Sequence, residues 1–170
     1  QMLVDTVVVD TAGVVQIGSA DDPVDHGVAA RIVIADDGAD IDLAWDPNQL
    51  SRGLVSHGTT QFYGEEVTPY SSLAVDPRRG DTTLTLDVIP TNWDVGHRLV
   101  LTGTSSNHRN TQDEELEIVS IDGNIVTIDA DSDEPGIQPL EYNHLTPDGY
   151  DLSVYVANVN RNVVIMSENP

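Results

Sequence analysis

Hydrophobic and polar residues alternate along this chain with a period of two. The segments "DTVVVD", "GVVQIG", "ARIVIAD", "TTLTLDVI", "HRLVLTG", "ELEIVSI", "NIVTIDA", "LSVYVANV" and "NVVIM" are short, rich in Val, Ile, Leu and Thr, and bounded by Gly, Asp, Asn or Pro. That is the signature of strands with one face buried. No amphipathic helical period is sustained. The one helix start is "WDPNQL", in which Asp46 caps a turn with Pro47 at its first position. The pattern predicts an all-β protein.

The strands fall into two groups, and the change between them marks a boundary. Over residues 1–69 they are followed by Gly-rich corners ("TAGVVQIGS", "ADDGADIDL", "SHGTTQFYG") without a two-residue hairpin signal, which suits coils of a parallel β-helix. Over 70–140 ordinary turns separate the strands, and "ELEIVSIDGNIVTIDA" predicts a tight hairpin, Asp122-Gly123 supplying the positive φ values of a type I′ turn. This stretch reads as an antiparallel insert. Over 141–170, "LSVYVANVNRNVVIMSE" returns to the coil pattern. Both "MLVDTVVVDTAGVVQIG" and "VNRNVVIMSENP" are as apolar as interior strands, so each is expected to be a rung whose next neighbour lies outside this chain.

Charge changes the picture most. The 170 residues include 29 acidic and 7 basic ones, for a formal net charge of −22, and every basic residue is an arginine. Such self-repulsion is tolerated where salt screens it, the Debye length falling to about 3 Å near 1 M. A saline, halophilic, extracellular or cell-surface setting follows as the expectation. Apart from Arg78-Arg79 the arginines are scattered, so the chain lacks the basic footprint of a nucleic-acid binder. No stretch approaches the roughly 20 apolar residues of a membrane span. Cysteine is absent, which removes disulfides, thiolate metal sites and cysteine nucleophiles.

The order "GVVQIG", "LSRGLVSHGTTQFYG", "TTLTLDVIPTNWDVGHRLVLTGT", "TQDEELEIVSIDGNIVTIDA", "YNHL" and "VANVNRNVVI" resembles the G8 domain, a glycine-rich extracellular module of hyaluronan-degrading cell-surface proteins and their bacterial relatives. The resemblance runs from about Leu3 to Glu168. It implies a right-handed parallel β-helix, with the segment matching "NRNVVI" leading into further coils, and a polysaccharide partner.

Candidate chemistry is concentrated in "TSSNHRNTQDEE". His108, Arg109, Gln112, Asp113 and Glu114 combine carboxylates with cations, as sugar binding or glycoside chemistry requires; a solvated loop has the same composition. Gln112, Asp113 and Glu114 are the positions that match the polar residues of the resembled family's loop. His57 matches a histidine recurrent there, and Arg52 lies five residues before it. These are candidate ligand contacts, although a histidine between Gly-bounded strands also serves as a hydrogen-bonded structural residue, an ambiguity shared by His144. No paired-histidine spacing supports zinc.

In "DADSDEPG", Asp129, Asp131 and Asp133 fill positions 1, 3 and 5 of a calcium loop, but Glu134 replaces the glycine at position 6 and Leu140 the glutamate at position 12. The three aspartates remain the candidate Ca2+ ligands of a non-EF-hand turn. Two function classes emerge: a module that binds polysaccharide, or forms the first part of a polysaccharide-processing enzyme, and a structural or adhesive element that stacks on neighbouring copies. A domain at −22 repels a polyanion such as hyaluronan, so neutral glycans fit more easily. Trp93 either stacks on a sugar or plugs the core of the insert.

Overall fold

The structure, a computed structural model, describes residues 1–36, 42–44, 46–48, 52–105, 111–150 and 152–169. Its strands are β1 (Met2–Val4), β2 (Val7–Val9), β3 (Val14–Ile17), β4 (Ala30–Ile34), β5 (Leu54–Ser56), β6 (Thr59–Phe62), β7 (Tyr70–Ser72), β8 (Thr83–Thr85), β9 (Arg98–Leu101), β10 (Glu114–Asp122), β11 (Ile125–Asp129), β12 (Tyr155–Asn158) and β13 (Val163–Ser167). Among the described residues there is no helix, so none could cross a membrane as one. The expected helix start is a turn at Pro47 and Asn48; Trp45 and the residues after Asn48 that would extend it lie outside the described residues. Two compact units form, Gln1–Glu65 with Arg161–Pro170, and Glu66–Asn160.

The first unit consists of parallel ladders. β4 lies between β1 and β13, β5 pairs with β2, and β6 with β3, all parallel. The second pass of the chain therefore repeats the first strand for strand, and β13 opens a third layer over β4. Like stacks on like: Met2, Ile32 and Ile165 share one register position. The glycine-rich corners have a physical cause in this stacking. His57 N–H donates to the Val9 carbonyl (2.8 Å) and Thr59 N–H to that of Gly13 (3.0 Å), which brings the two corners into backbone contact. A Cβ on Gly58 would stand 2.3 Å from the Asp10 oxygen and 2.4 Å from that of Gly13, so only glycine fits. Asn162, just before β13, fastens the layer. Its Oδ1 accepts from Glu65 N–H (2.9 Å) and its Nδ2 donates to the carbonyls of Val24 (3.1 Å) and Asp25 (3.2 Å).

The second unit is a six-stranded antiparallel sheet in the order β7-β12-β9-β10-β11-β8. Its two edges meet: Leu73 bridges Leu86, Ala74 N–H donates to the Thr85 carbonyl (2.9 Å) and Asp87 N–H to that of Ser72 (3.0 Å). The sheet thus curls around its own apolar face, which removes exposed edges. Alternation dictates the filling. Leu99 and Leu101 of β9, Leu116 and Ile118 of β10, Val126 and Ile128 of β11 and Val156 of β12 point inward with Leu84, Leu86, Leu140 and Val154. Trp93 plugs this core, 5% exposed, its Nε1–H donating to the Thr68 carbonyl (2.7 Å), which satisfies the one polar atom of the indole.

Two expectations change here. The hairpin is present, but Asp122 pairs with Ile125, so the loop is Gly123-Asn124, one residue later than expected. Gly123 has φ 60° and Asn124 is not among the positive-φ residues; a positive φ at the first central position alone belongs to a type II′ turn, which needs glycine only there. The returning coil is also shorter than 141–170. β12 pairs antiparallel with β7 and β9, because Val156 and Asn158 complete the inner rows of the antiparallel sheet beside Leu101 and Leu99, and only β13 stacks in parallel.

Candidate functional site

The polar run before β10 divides at Glu114. His108 and Arg109 lie outside the described residues. Gln112 has φ 58°, and Asp113 accepts from Gly103 N–H through Oδ1 (2.7 Å), closing the neck of the loop. There the two strands touch through backbone: a Cβ on Gly103 would fall 1.6 Å from the Thr111 carbonyl oxygen. Glu114 and Glu115 belong to the strand itself, and the pleat sends them to opposite faces.

Glu114 faces inward. Its carboxylate, 8% exposed as a residue, accepts from Glu141 N–H (2.7 Å), Tyr142 N–H (3.3 Å) and His144 Nε2 (2.6 Å). His144 is fully buried, and its Nδ1 lies 2.9 Å from the Thr102 carbonyl. A carbonyl only accepts, so Nδ1 carries a proton; Nε2 and the Glu114 carboxylate share a second. The acidic side chain therefore ties residues 141–144 to the barrel, and a ligand in solvent does not reach it. No buried side-chain nitrogen or oxygen among the described residues lacks a partner.

Arg52 and His57 flank β5 in the first unit. Arg52 has φ 67°, its N–H donates to Thr6 Oγ1 (3.1 Å), and its guanidinium donates to the Asp36 carbonyl. It lines a shallow pocket of about 380 Å3 with Ile34, Ala35, Ile165 and Met166. His57 sits exposed at the corner after β5, held by its backbone. The aspartates of the acidic turn point to their own backbone: Asp129 Oδ1 accepts from Gln138 N–H (2.9 Å) and Asp131 N–H (3.2 Å), and Asp131 Oδ1 from Asp133 N–H (3.3 Å). Among the described residues no three His, Cys, Asp or Glu side chains gather to hold a metal.

The outer face of the antiparallel sheet gathers a different set. Tyr70 on β7 and Tyr155 on β12 stand exposed by 61% and 41%, their ring centroids 6.0 Å apart at 69°. This edge-on arrangement suits the quadrupoles of both rings. The pairing continues in one row, Tyr70–Ala157–Val100–Glu115. The row Arg98–Glu117–Asp129 lies two positions along, beside a shallow pocket of about 150 Å3 lined by these three with Glu115 and Asp131. Two aromatic rings thus stand at one end of the outer face and carboxylates at the other, with Ala157 and Val100 in the row between them. The alternation of β10 signals the outward Glu115 and Glu117 in the sequence; nothing local signals that Tyr70 meets Tyr155, 85 positions away.

No family model matches the chain, and no curated protein matches it. Solved structures similar to it include tailspikes of bacteriophages. Tailspike gp61 of Pseudomonas phage phi297 is 14% identical over 94% of this chain and 22% of its own, with a TM-score of 0.38. The gp54 tailspike of Acinetobacter baumannii bacteriophage AP22, solved in complex with A. baumannii capsular saccharide, is 12% identical over 97% of this chain and 22% of its own, TM-score 0.39. Tailspike gp49 of Pseudomonas phage LKA1 is 18% identical over 89% of this chain and 25% of its own, TM-score 0.42. The chain spans a quarter or less of the length of each.

Proposed function

We propose that this chain is an extracellular polysaccharide-binding β module. The observation that carries the reading is the outer face of the antiparallel sheet, where Tyr70 of the exposed Tyr70–Tyr155 pair shares a row with the outward Glu115. Aromatic rings cover the C–H faces of sugars and carboxylates accept from their hydroxyls. In the same reading, the parallel ladders of the first unit are coils of a right-handed β-helix of the G8-like kind, and the acidic surface is an adaptation to salt. Glu114 takes no part in the contact, because its carboxylate is occupied inside the barrel.

The test is depletion of the protein from solution by a panel of bead-bound polysaccharides in molar salt. Retention on at least one polysaccharide supports the reading; passage through all of them refutes it. A second reading, a structural element that stacks on further copies, is favoured by one observation: among the described residues β1, β2 and β3 each pair on one side only, with Met2, Leu3, Val8 and Val14 exposed among them. A molecular mass that rises with concentration in light scattering supports that reading, and a constant monomer removes it.

A further inference from the structure

We infer that the outer face of the antiparallel sheet takes a neutral glycan laid across the strands, from the tyrosine pair to Glu115 and Glu117, and rejects uronate-bearing chains. The inference rests on the polysaccharide reading above and adds the location and class of the ligand.

Location follows from register. Tyr70, Ala157, Val100 and Glu115 occupy one row on β7, β12, β9 and β10. With strands about 4.8 Å apart, three steps place Glu115 about 14 Å from Tyr70, so an extended chain of several sugars spans the row. Ala157 and Val100 between them are too small to block it. A ring standing edge-on to its neighbour leaves a step against which one sugar packs, while Glu115, exposed at the far end, accepts hydroxyl hydrogens.

Class follows from charge. Arg98 is the only arginine in these two rows; it stands opposite Glu117, which stands opposite Asp129. The row thus sets two carboxylates against one cation, which leaves no net positive charge for a uronate. The protein around it carries −22, so an anionic chain meets repulsion on approach and unpaired charge on arrival. A neutral hydroxyl meets neither, and its bond to a carboxylate is strengthened by the charge.

The test uses the full chain with beads of a neutral β-glucan and beads of alginate, at about 0.1 M and 1 M NaCl, where the Debye length falls from about 10 to 3 Å. Four proteins are compared: wild type, Y70A/Y155A, E115A/E117A and E115Q/E117Q, with far-UV circular dichroism confirming that each is folded. The expected result is retention of the wild type on glucan at both salts and on alginate at neither. Affinity for glucan drops about tenfold or more in Y70A/Y155A and in E115A/E117A, whereas E115Q/E117Q, which keeps an acceptor oxygen at each position, stays within about threefold of wild type. Alginate retention matching glucan, or glucan retention indifferent to Y70A/Y155A, overturns this inference while leaving polysaccharide binding intact. Failure on both beads together with failure on the wider polysaccharide panel overturns both.

Discussion

Replacing Glu114 by alanine removes one acceptor from three donors at once, the N–H groups of Glu141 and Tyr142 and Nε2 of His144. His144 is fully buried, so water does not take over at its Nε2, whereas Glu141 is exposed and Tyr142 half-buried. Leaving the buried Nε2 of His144 without its partner costs about 1–3 kcal/mol. Each stranded backbone N–H adds to that cost to the extent that it stays dry. For a unit of roughly 100 residues, about 3 kcal/mol lowers the unfolding midpoint by at least about 12 °C. Glu114→Gln is milder. Its carbonyl oxygen replaces one acceptor and its amide donates to a neutral His144 Nε2, with Nδ1–H still on Thr102, so the loss is about 1–2 kcal/mol. The two units can unfold separately, so the assay must read the right one. Trp93 lies in the core of the second unit, and in a W45F background it is the sole indole. Thermal unfolding followed by its emission in molar salt should order the proteins wild type, E114Q, E114A. A loss below about 1 kcal/mol in E114A would refute the argument that this carboxylate holds residues 141–144 to the barrel.

Gly103→Ala puts a Cβ 1.6 Å from the Thr111 carbonyl oxygen; backbone must move, so we expect a loss of about 3 kcal/mol or more in the same assay. Gly123→Ala meets open space at φ 60°, so only the strain of an L residue in a glycine conformation applies and about 1–3 kcal/mol is lost. Equal losses at the two positions would contradict this account of the loop neck. Raising NaCl from low to molar concentration should raise the unfolding midpoint as screening relieves the charge of −22; an unchanged midpoint would show that the acidic groups are too dispersed to matter.

The strands were legible because half-burial writes itself as alternation. "HRLVL", "ELEI" and "NIVTI" name the inward rows of the barrel directly, and the same alternation sends Glu114 to the side of Leu116 and Ile118 and Glu115 outward. Read for composition, "TQDEE" looked like a loop; read for period, it already contains the start of a strand. The glycine corners were legible in kind, since backbone contact between stacked corners leaves room for no other residue. Less visible were β5 and β6, three and four residues long inside what reads as a corner, because their ladder partners lie in another pass of the chain. Register in the hairpin was missed by one residue, as Asp-Gly and Gly-Asn overlap in "DGN" and only the backbone decides which pair turns. The partnership of β12 with β7 and β9 and that of His144 with Glu114 depend on long-range closure, for which sequence spacing carries no signal. So does the meeting of Tyr70 with Tyr155.

Amide chemical shifts of the labelled full chain, recorded in molar salt while a soluble neutral β-glucan oligosaccharide is titrated in, test the central claim most directly. Changes are expected only in the outer rows of the sheet, at Tyr70, Val100, Glu115, Glu117, Tyr155 and Ala157. Changes gathered instead around Arg52 and His57, or around Gln112 and Asp113, with the tyrosine rows silent, would contradict it.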